Sequence, residues 1–417
     1  MATKMKDSGI EWVGEIPDNW GIERIKYVVK IRNENGFFNP ETDVYIGMEN
    51  IKGYSNDIVE TNSEYEPSIQ SIFRKGDILF GKLRPYLAKV SETNCFGFCS
   101  SEFLVFSDFI GNKGFLRFTL LNPKFIENIN ASTYGAKMPR ASSDYILNQN
   151  LAMPPLSEQK AIAEYLDEKC WEIDALLADI KEEIETLEQY KRSVITESVT
   201  KGLDPSVPMK DSGAGWMPTV PAHWLVEKIK YHLHLKTQKN MSDRQVLSLY
   251  RDYGIVPKDS RNDNHNVTSE DTSSYRFVRV GDFVVNKMKA WQGSVAVSQY
   301  EGIVSPAYFV YEFIDESFDK KYFHYLLRNK SYTIEFMRLS GGIRVGQWDL
   351  PAEAFENTLV LIPPIEEQQQ IADYLDKKCK EIEEIIADKQ SQIETLESYK
   401  KSLIYEYVTG KKEIIVQ

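Results

Sequence analysis

Two clusters of cations with an aromatic ring, set at matching spacing in two parts of the chain, are the residues with the most chemical promise. Gly81-Lys82-Leu83-Arg84-Pro85-Tyr86 resembles Asn286-Lys287-Met288-Lys289-Ala290-Trp291. Each cluster follows a short apolar run of strand character, Asp77-Ile78-Leu79-Phe80 and Phe283-Val284-Val285. Cations in such a pattern clamp phosphates, and Tyr86 and Trp291 offer flat faces for stacking. The alternative is a solvated hairpin face, and its retention in both halves argues against that. A second group begins at glycines: Gly135-Ala136-Lys137 with Arg140, and Gly342-Ile343-Arg344 with Gln347 and Trp348. Glycine lets the backbone approach a phosphate closely, and a cation or amide can then enter a nucleic-acid groove. A polar turn accounts for this second group equally well. Arg251, Arg261 and Asn264 lie among turn formers and read as a polar loop.

Catalytic signatures are missing. No GxxxxGK[ST] loop, helix-opening GxGxxG or HExxH occurs. Asn122-Pro123-Lys124-Phe125 approaches a methyltransferase tetrapeptide, but Lys124 breaks its Asn-Pro-Pro-aromatic pattern. Pro17-Asp18 followed by Glu23-Arg24-Ile25 lacks the lysine of a nuclease site. Cys95 and Cys99 have no second pair in step, so packed thiols are expected rather than zinc. Cys170 and Cys379 read as small buried hydrophobes, and with 5 histidines, among them His232 and His234, no metal site is expected. Binding is favoured over catalysis.

Elements that must position the clusters emerge from an internal duplication. Residues 154–200 align without a gap to 363–409, with 27 of 47 positions identical. A weaker echo precedes each copy, Met5 to Tyr27 against Met209 to Tyr231, and Arg74-Lys75-Gly76-Asp77 matches Arg279-Val280-Gly281-Asp282. The repeated segments predict long helices: a Pro-Pro pair opens each, and no Gly or Pro follows until Gly202 or Gly410. Ile173, Leu177, Ile180, Ile184 and Leu187, and in the other copy Ile382, Ile386, Ile393 and Leu396, form a heptad seam that one helix cannot bury alone. Each helix runs about 65–70 Å, and the other copy is the expected partner, paired antiparallel.

The expected architecture is therefore α+β. Two mixed α/β globules (1–153 and 203–362) are separated by two long helices (154–202 and 363–411) that form an antiparallel coiled coil. The organisation is pseudo-two-fold and near-circular, with the chain ends matching the linker at 201–208. Helices are expected within the globules at 115–130 and 319–338. At 417 residues and 42% hydrophobic, the chain supports several cores. No long apolar run or apolar leader appears, and 4 cysteines give no disulfide framework, so a reducing cytoplasm fits. The net charge of −12 argues against nucleic acid until its distribution is read. Residues 157–200 carry 12 acidic and 5 basic residues, and 365–410 carry 11 and 6, so the helices hold the whole excess. The globules balance to zero and are free to present basic surfaces.

The duplicated P-P-[LI]-x-E-Q…I-A-x-Y-L-D…I-E-T-L-E-x-Y-K segment resembles the conserved regions of type I restriction-modification specificity subunits. The matching residues are Pro154, Pro155, Glu158, Gln159, Ile162, Tyr165, Leu166 and Asp167, with copies at Pro363, Pro364, Glu367, Gln368, Ile371, Tyr374, Leu375 and Asp376. The G-x-[IV]-P-x-x-W start, Gly14 to Trp20, is similar too, and the second copy departs from it with Pro218. The resemblance covers essentially the whole chain. It implies a non-catalytic DNA reader in which each globule is a target-recognition domain for one half of a split site on double-stranded DNA. It implies helices that set the gap and dock two modification (methyltransferase) subunits, with restriction (translocase and nuclease) subunits joining them. S-adenosylmethionine, ATP and Mg are expected on those partners and no cofactor on this chain. The rival readings are a self-contained DNA enzyme, which the missing motifs disfavour, and a coiled-coil protein-interaction scaffold without DNA readout.

Overall fold

The computed structural model describes residues 4–61, 65–135, 137–251, 254–260, 268–269, 271–342 and 348–414. It divides into two compact units, Met1–Lys181 with Gln390–Gln417, and Glu182–Lys389. Both boundaries fall inside the long helices Leu156–Lys201 and Ile365–Val408, so each unit is a globule with half of each helix.

In the first unit, Gly21–Arg24 pairs antiparallel with Asn150–Met153, and the latter strand leads through Pro154-Pro155 into the central helix. Between them lies a three-stranded sheet ordered Phe103–Phe106, Ile78–Gly81, Val90–Glu92. A four-stranded sheet runs Asn35–Phe38, Ser68–Phe73, Gly97–Cys99, Tyr45–Ile46, with the last pair parallel. Ile78–Gly81 and Phe103–Phe106 are buried at every position, which is why they read as unbroken apolar runs rather than alternating ones. Lys113–Leu121 covers Ile78–Gly81 and Val90–Glu92. The helical structure expected at 115–130 is present and is built as two helices, Lys113–Leu121 and Pro123–Ala131. The break is Asn122, fully buried, whose side-chain oxygen accepts the Lys124 amide at 2.9 Å while Pro123 takes the first helical position. The tetrapeptide Asn122–Phe125 is thus a helix start, with Phe125 in the core.

The second unit repeats the scheme. Leu225–Lys228 pairs with Leu359–Ile362. A four-stranded antiparallel sheet is ordered Leu233–Lys236, Tyr308–Phe313, Phe283–Asn286, Val295–Val297. The segment 319–338 is helical as expected, with Asn329 dividing Lys320–Arg328 from Lys330–Leu339 and accepting the Ser331 amide at 2.7 Å. The shared Arg-x-Gly-Asp is a turn anchor. Asp77 Oδ2 accepts the Arg74 amide at 2.8 Å and Arg32 Nε at 2.6 Å; Asp282 Oδ2 accepts the Arg279 amide at 2.7 Å and Lys236 Nζ at 2.6 Å. The intervening glycines hold φ of 79° and 90°, a region that side chains rarely enter.

Within each unit the two helix halves run antiparallel. In the first, Tyr165 meets Tyr407 with ring centroids 4.6 Å apart, and Asp174 meets Lys400. In the second, Glu183 pairs with Lys389 and Lys191 with Glu383. Ile173, Leu177, Ile382 and Ile393 are buried, while Ile180, Ile184, Leu187, Ile386 and Leu396 are half-buried, as expected of a two-helix seam. Cys170 and Cys379 are buried beside it, and burial pushes the Cys170 thiol up to about 11.

The repeated Glu-Gln pair fastens helix to globule. Glu158 accepts the Trp20 indole N–H at 2.8 Å, and buried Gln159 accepts the Asn112 amide at 2.9 Å while donating to the Pro154 carbonyl. In the second unit Glu367 takes Trp224 at 3.1 Å, and Gln368 takes the Asp319 amide at 2.9 Å. Asp167 then holds Arg117, and Asp376 holds Lys321. At the far helix ends, Gly410 lies against Pro17 and Trp20, as Gly202 lies against Trp224 and Glu367. Lys411 Nζ donates to the Glu15 carbonyl. In the first unit the segment after the C-terminal helix thus packs on Pro17 and Trp20, and in the second the segment after the central helix packs on the corresponding Trp224.

Candidate nucleic-acid interface

The two candidate clusters of the first unit, more than fifty positions apart in sequence, form one edge. Strand Ile78–Gly81 delivers Lys82, whose amide donates to the Glu102 carbonyl at 2.9 Å and whose carbonyl accepts from Ala141 at 3.0 Å. Leu83 bridges to Arg140, and the Arg84 amide donates to the Pro139 carbonyl at 2.7 Å. The turn at 82–87 is thereby tied along the loop at 134–141. Arg84 sits in the left-handed region, φ 50° and ψ 63°, and its side chain is exposed. A non-glycine residue persists there only when its surroundings over-determine it, and the Pro139 and Leu87 main-chain bonds do so. Tyr86, Tyr134 and Met138 are 49%, 64% and 57% exposed on the same edge. Lys137 is exposed. Lys82 is half-buried, and burial lowers its ammonium pKa from the ordinary lysine value. Arg140 is ion-paired with Glu102.

The second unit repeats the two main-chain bonds made at Lys82, here at Lys287. The Lys287 amide donates to the Ala307 carbonyl at 3.1 Å, and its carbonyl accepts from Leu350 at 2.8 Å. Gly341 bridges Asp349, and Lys287 Nζ lies 3.1 Å from Asp349. Trp291 and Trp348 meet with centroids 5.3 Å apart at 59°. The Trp291 indole N–H donates to the Met288 carbonyl at 3.0 Å, which fixes the ring. Lys289 and Met288 are exposed. Arg344 and Gln347 lie outside the described residues, as do Arg261 and Asn264. Arg251 is exposed, and its carbonyl accepts from Arg328. The backbone scheme is shared and the side chains differ: Arg84 and Tyr86 in one unit, Lys289 with the Trp291–Trp348 pair in the other.

Sequence reading passed over Glu102 and Asp349, the carboxylates that hold Arg140 and Lys287. Neither lies in a matched anchor, and only the meeting of two distant loops makes them partners. Tyr134 and Met138 join the edge in the same way, whereas Met288 lies within the cluster itself, exposed beside Lys289. Cys95 and Cys99 belong to the core near this edge, and burial pushes the Cys99 thiol up to about 12.

Residues 17–186 and 234–395 match the family model described as type I restriction modification DNA specificity domain. The chain belongs to this family. Among its relatives, a putative type I restriction enzyme MjaX specificity subunit of Methanocaldococcus jannaschii is 23% identical over 96% of this chain and 95% of its own. The MjaVIII specificity subunit of the same organism is 24% identical over 68% of this chain and 67% of its own. The EcoKI specificity subunit of Escherichia coli is 25% identical over 49% of this chain and 40% of its own. A solved chain from work on complex assembly and conformational transition of the type I R-M system superposes with a TM-score of 0.70 at 15% identity, covering 95% of this chain and 99% of that one. The HsdS subunit of Thermoanaerobacter tengcongensis does so with 0.53 at 17% identity, covering 95% and 98%. At these identities the superpositions establish the fold of a type I specificity subunit, two mixed α/β domains with two long helices.

Proposed function

We propose that this chain is the reader of a two-part DNA site, each globule contacting one half while the helix pair sets the gap and docks two modification subunits. The observation that carries the reading is the duplicated edge. The amide and carbonyl of Lys82, and equally those of Lys287, bond to loops distant in sequence, so a strand-end turn meets a distant loop in both units, and what is presented there differs between the units (Arg84 and Tyr86, or Lys289 and Trp291). A frame that is repeated while its displayed side chains diverge is what two unlike half-sites require. The tight repeat of the helices, by contrast, suits two copies of one partner. Their acidity makes them poor phosphate ligands and suitable faces for protein.

Lys82, Arg84, Tyr86, Lys137, Arg140, Lys287, Lys289, Trp291 and Trp348 are assigned to the DNA edge, and Arg344 and Gln347, outside the described residues, are put forward as DNA contacts from the sequence alone. Lys82, Arg84 and Lys289 would hold phosphates, and the aromatic groups would stack or fill a groove. Glu102 and Asp349 keep Arg140 and Lys287 aimed until DNA competes for them. S-adenosylmethionine, ATP and Mg belong to the partner subunits in this reading, and restriction subunits complete the assembly. The test is co-expression with the modification subunit and genome-wide mapping of methylated adenines. One interrupted sequence, lost when this chain is omitted, is expected. Methylation at a continuous short site, or none, would overturn the reading.

A further inference from the structure

Counted in alternating steps of four and three, the seam of the central helix runs Ile173, Leu177, Ile180, Ile184, Leu187, Lys191, Val194. That of the C-terminal helix runs Ile382, Ile386, Lys389, Ile393, Leu396, Lys400, Leu403. Three lysines thus stand where a coiled coil asks for an apolar side chain. Each finds a carboxylate on the opposing helix, one position from a seam residue there. Lys400 Nζ lies 2.7 and 2.6 Å from the two oxygens of Asp174, next to Ile173. Lys191 pairs with Glu383, next to Ile382, and Lys389 with Glu183, next to Ile184. The Lys400 side chain is 7% exposed, and those of Lys191 and Lys389 are 27% and 23% exposed. Leucine at these positions would avoid the desolvation of an ammonium, so stability alone does not account for them.

We infer that Lys191, Lys389 and Lys400, with Glu383, Glu183 and Asp174, are a register key that selects one alignment of the helix pair. An apolar heptad seam matches itself after a slip of seven residues, so the seam alone leaves alignment open. The lysines close it. A slip in one sense sets Lys400 beside Lys181, Lys191 beside Gln390 and Lys389 beside Tyr190. In the other sense Lys389 meets Leu176, while Lys400 and Lys191 face Asp167 and Asp376, which Arg117 and Lys321 already hold. A parallel, in-step pairing puts Lys191 beside Lys400. Every alternative leaves an ammonium against a like charge, an uncharged side chain or a carboxylate already engaged. The register itself does not depend on what the globules bind; its consequence for a DNA gap rests on the function proposed above.

The test uses the full chain with Cys170 and Cys379 replaced by alanine. Leu177→Cys with Leu396→Cys reports the observed alignment on oxidation, and Ile184→Cys with Leu396→Cys reports a slip of seven. With the lysines intact, the slipped cross-link should form at less than about a tenth of the aligned yield, and with Lys191→Leu, Lys389→Leu and Lys400→Leu together the two yields should become comparable. Persistence of the aligned product alone in the triple variant would show that docking at the helix ends sets the register, and the inference would fail. A charge exchange guards against a variant that does not fold: Lys400→Glu should lose the aligned product and added Asp174→Lys should restore it, and absence of rescue counts against the key. Methylated-site mapping with the triple variant separates the two ideas. A slip of seven residues is about 10 Å, so new sites with a gap changed by about three base pairs are expected. Slipped cross-links without any interrupted methylated site would leave the key standing and sink the DNA reading.

Discussion

Arg84 carries its conformation as a signature, since a left-handed arginine is retained against its own backbone preference. Arg84→Gly should therefore leave thermal stability unchanged or raise it slightly, while DNA affinity of the assembled enzyme falls; a loss of stability instead would make the residue structural. Lys82→Ala and Lys289→Ala should each weaken binding alike on all sequences and flatten the dependence of log K on log salt by about 0.9 per lost phosphate contact, read by titration across salt concentrations. Trp291→Ala, if the ring stacks, should cost about 1–3 kcal/mol of binding without changing that slope. The clusters at 82–86 and 287–291 were legible because the chain repeats them. The carboxylates that restrain them were not, because Glu102 and Asp349 become neighbours only when loops far apart in sequence meet.

Among the elements, the helix pairs of each globule show how a periodic pattern understates its punctuation. Residues 115–130 and 319–338 carry apolar side chains at helical spacing on both sides of a short polar stretch, and there Asn122 and Asn329 end one helix and start the next. The asparagine side chain satisfies an orphan amide of the new helix, which the apolar period does not register. Asn122→Ala should lower unfolding free energy by about 0.5–2 kcal/mol, measured by denaturant titration, and leave the identity of the DNA site unchanged. The Glu158 and Gln159 positions announced themselves by repetition, but their task did not. Contacts with Trp20 and the Asn112 amide show that they bolt a globule to its helix. Gln159→Leu would strand the Asn112 amide and the Pro154 carbonyl in a buried place, a cost of about 1–3 kcal/mol by the same measurement.

For the molecule as a whole, the ruler idea makes the most exposed claim. One heptad inserted into each long helix preserves the phase of the seam, whereas four residues would disturb it. It adds about 10 Å, so the gap in the methylated site should grow by about three base pairs while both half-site sequences persist. An unchanged gap would refute the ruler and spare the reading of DNA. The linear sequence by itself determined the duplication, the two long helices, their heptad seam and the confinement of the acidic excess to them. Those are properties of period and spacing, which survive without coordinates. Tertiary structure alone decided which carboxylate each seam lysine meets, that the turn at 82–87 and the loop at 134–141 form one edge, and that the last helical turn closes on Pro17 and Trp20. Each of these joins residues distant along the chain, and no local pattern encodes a partner that only packing supplies.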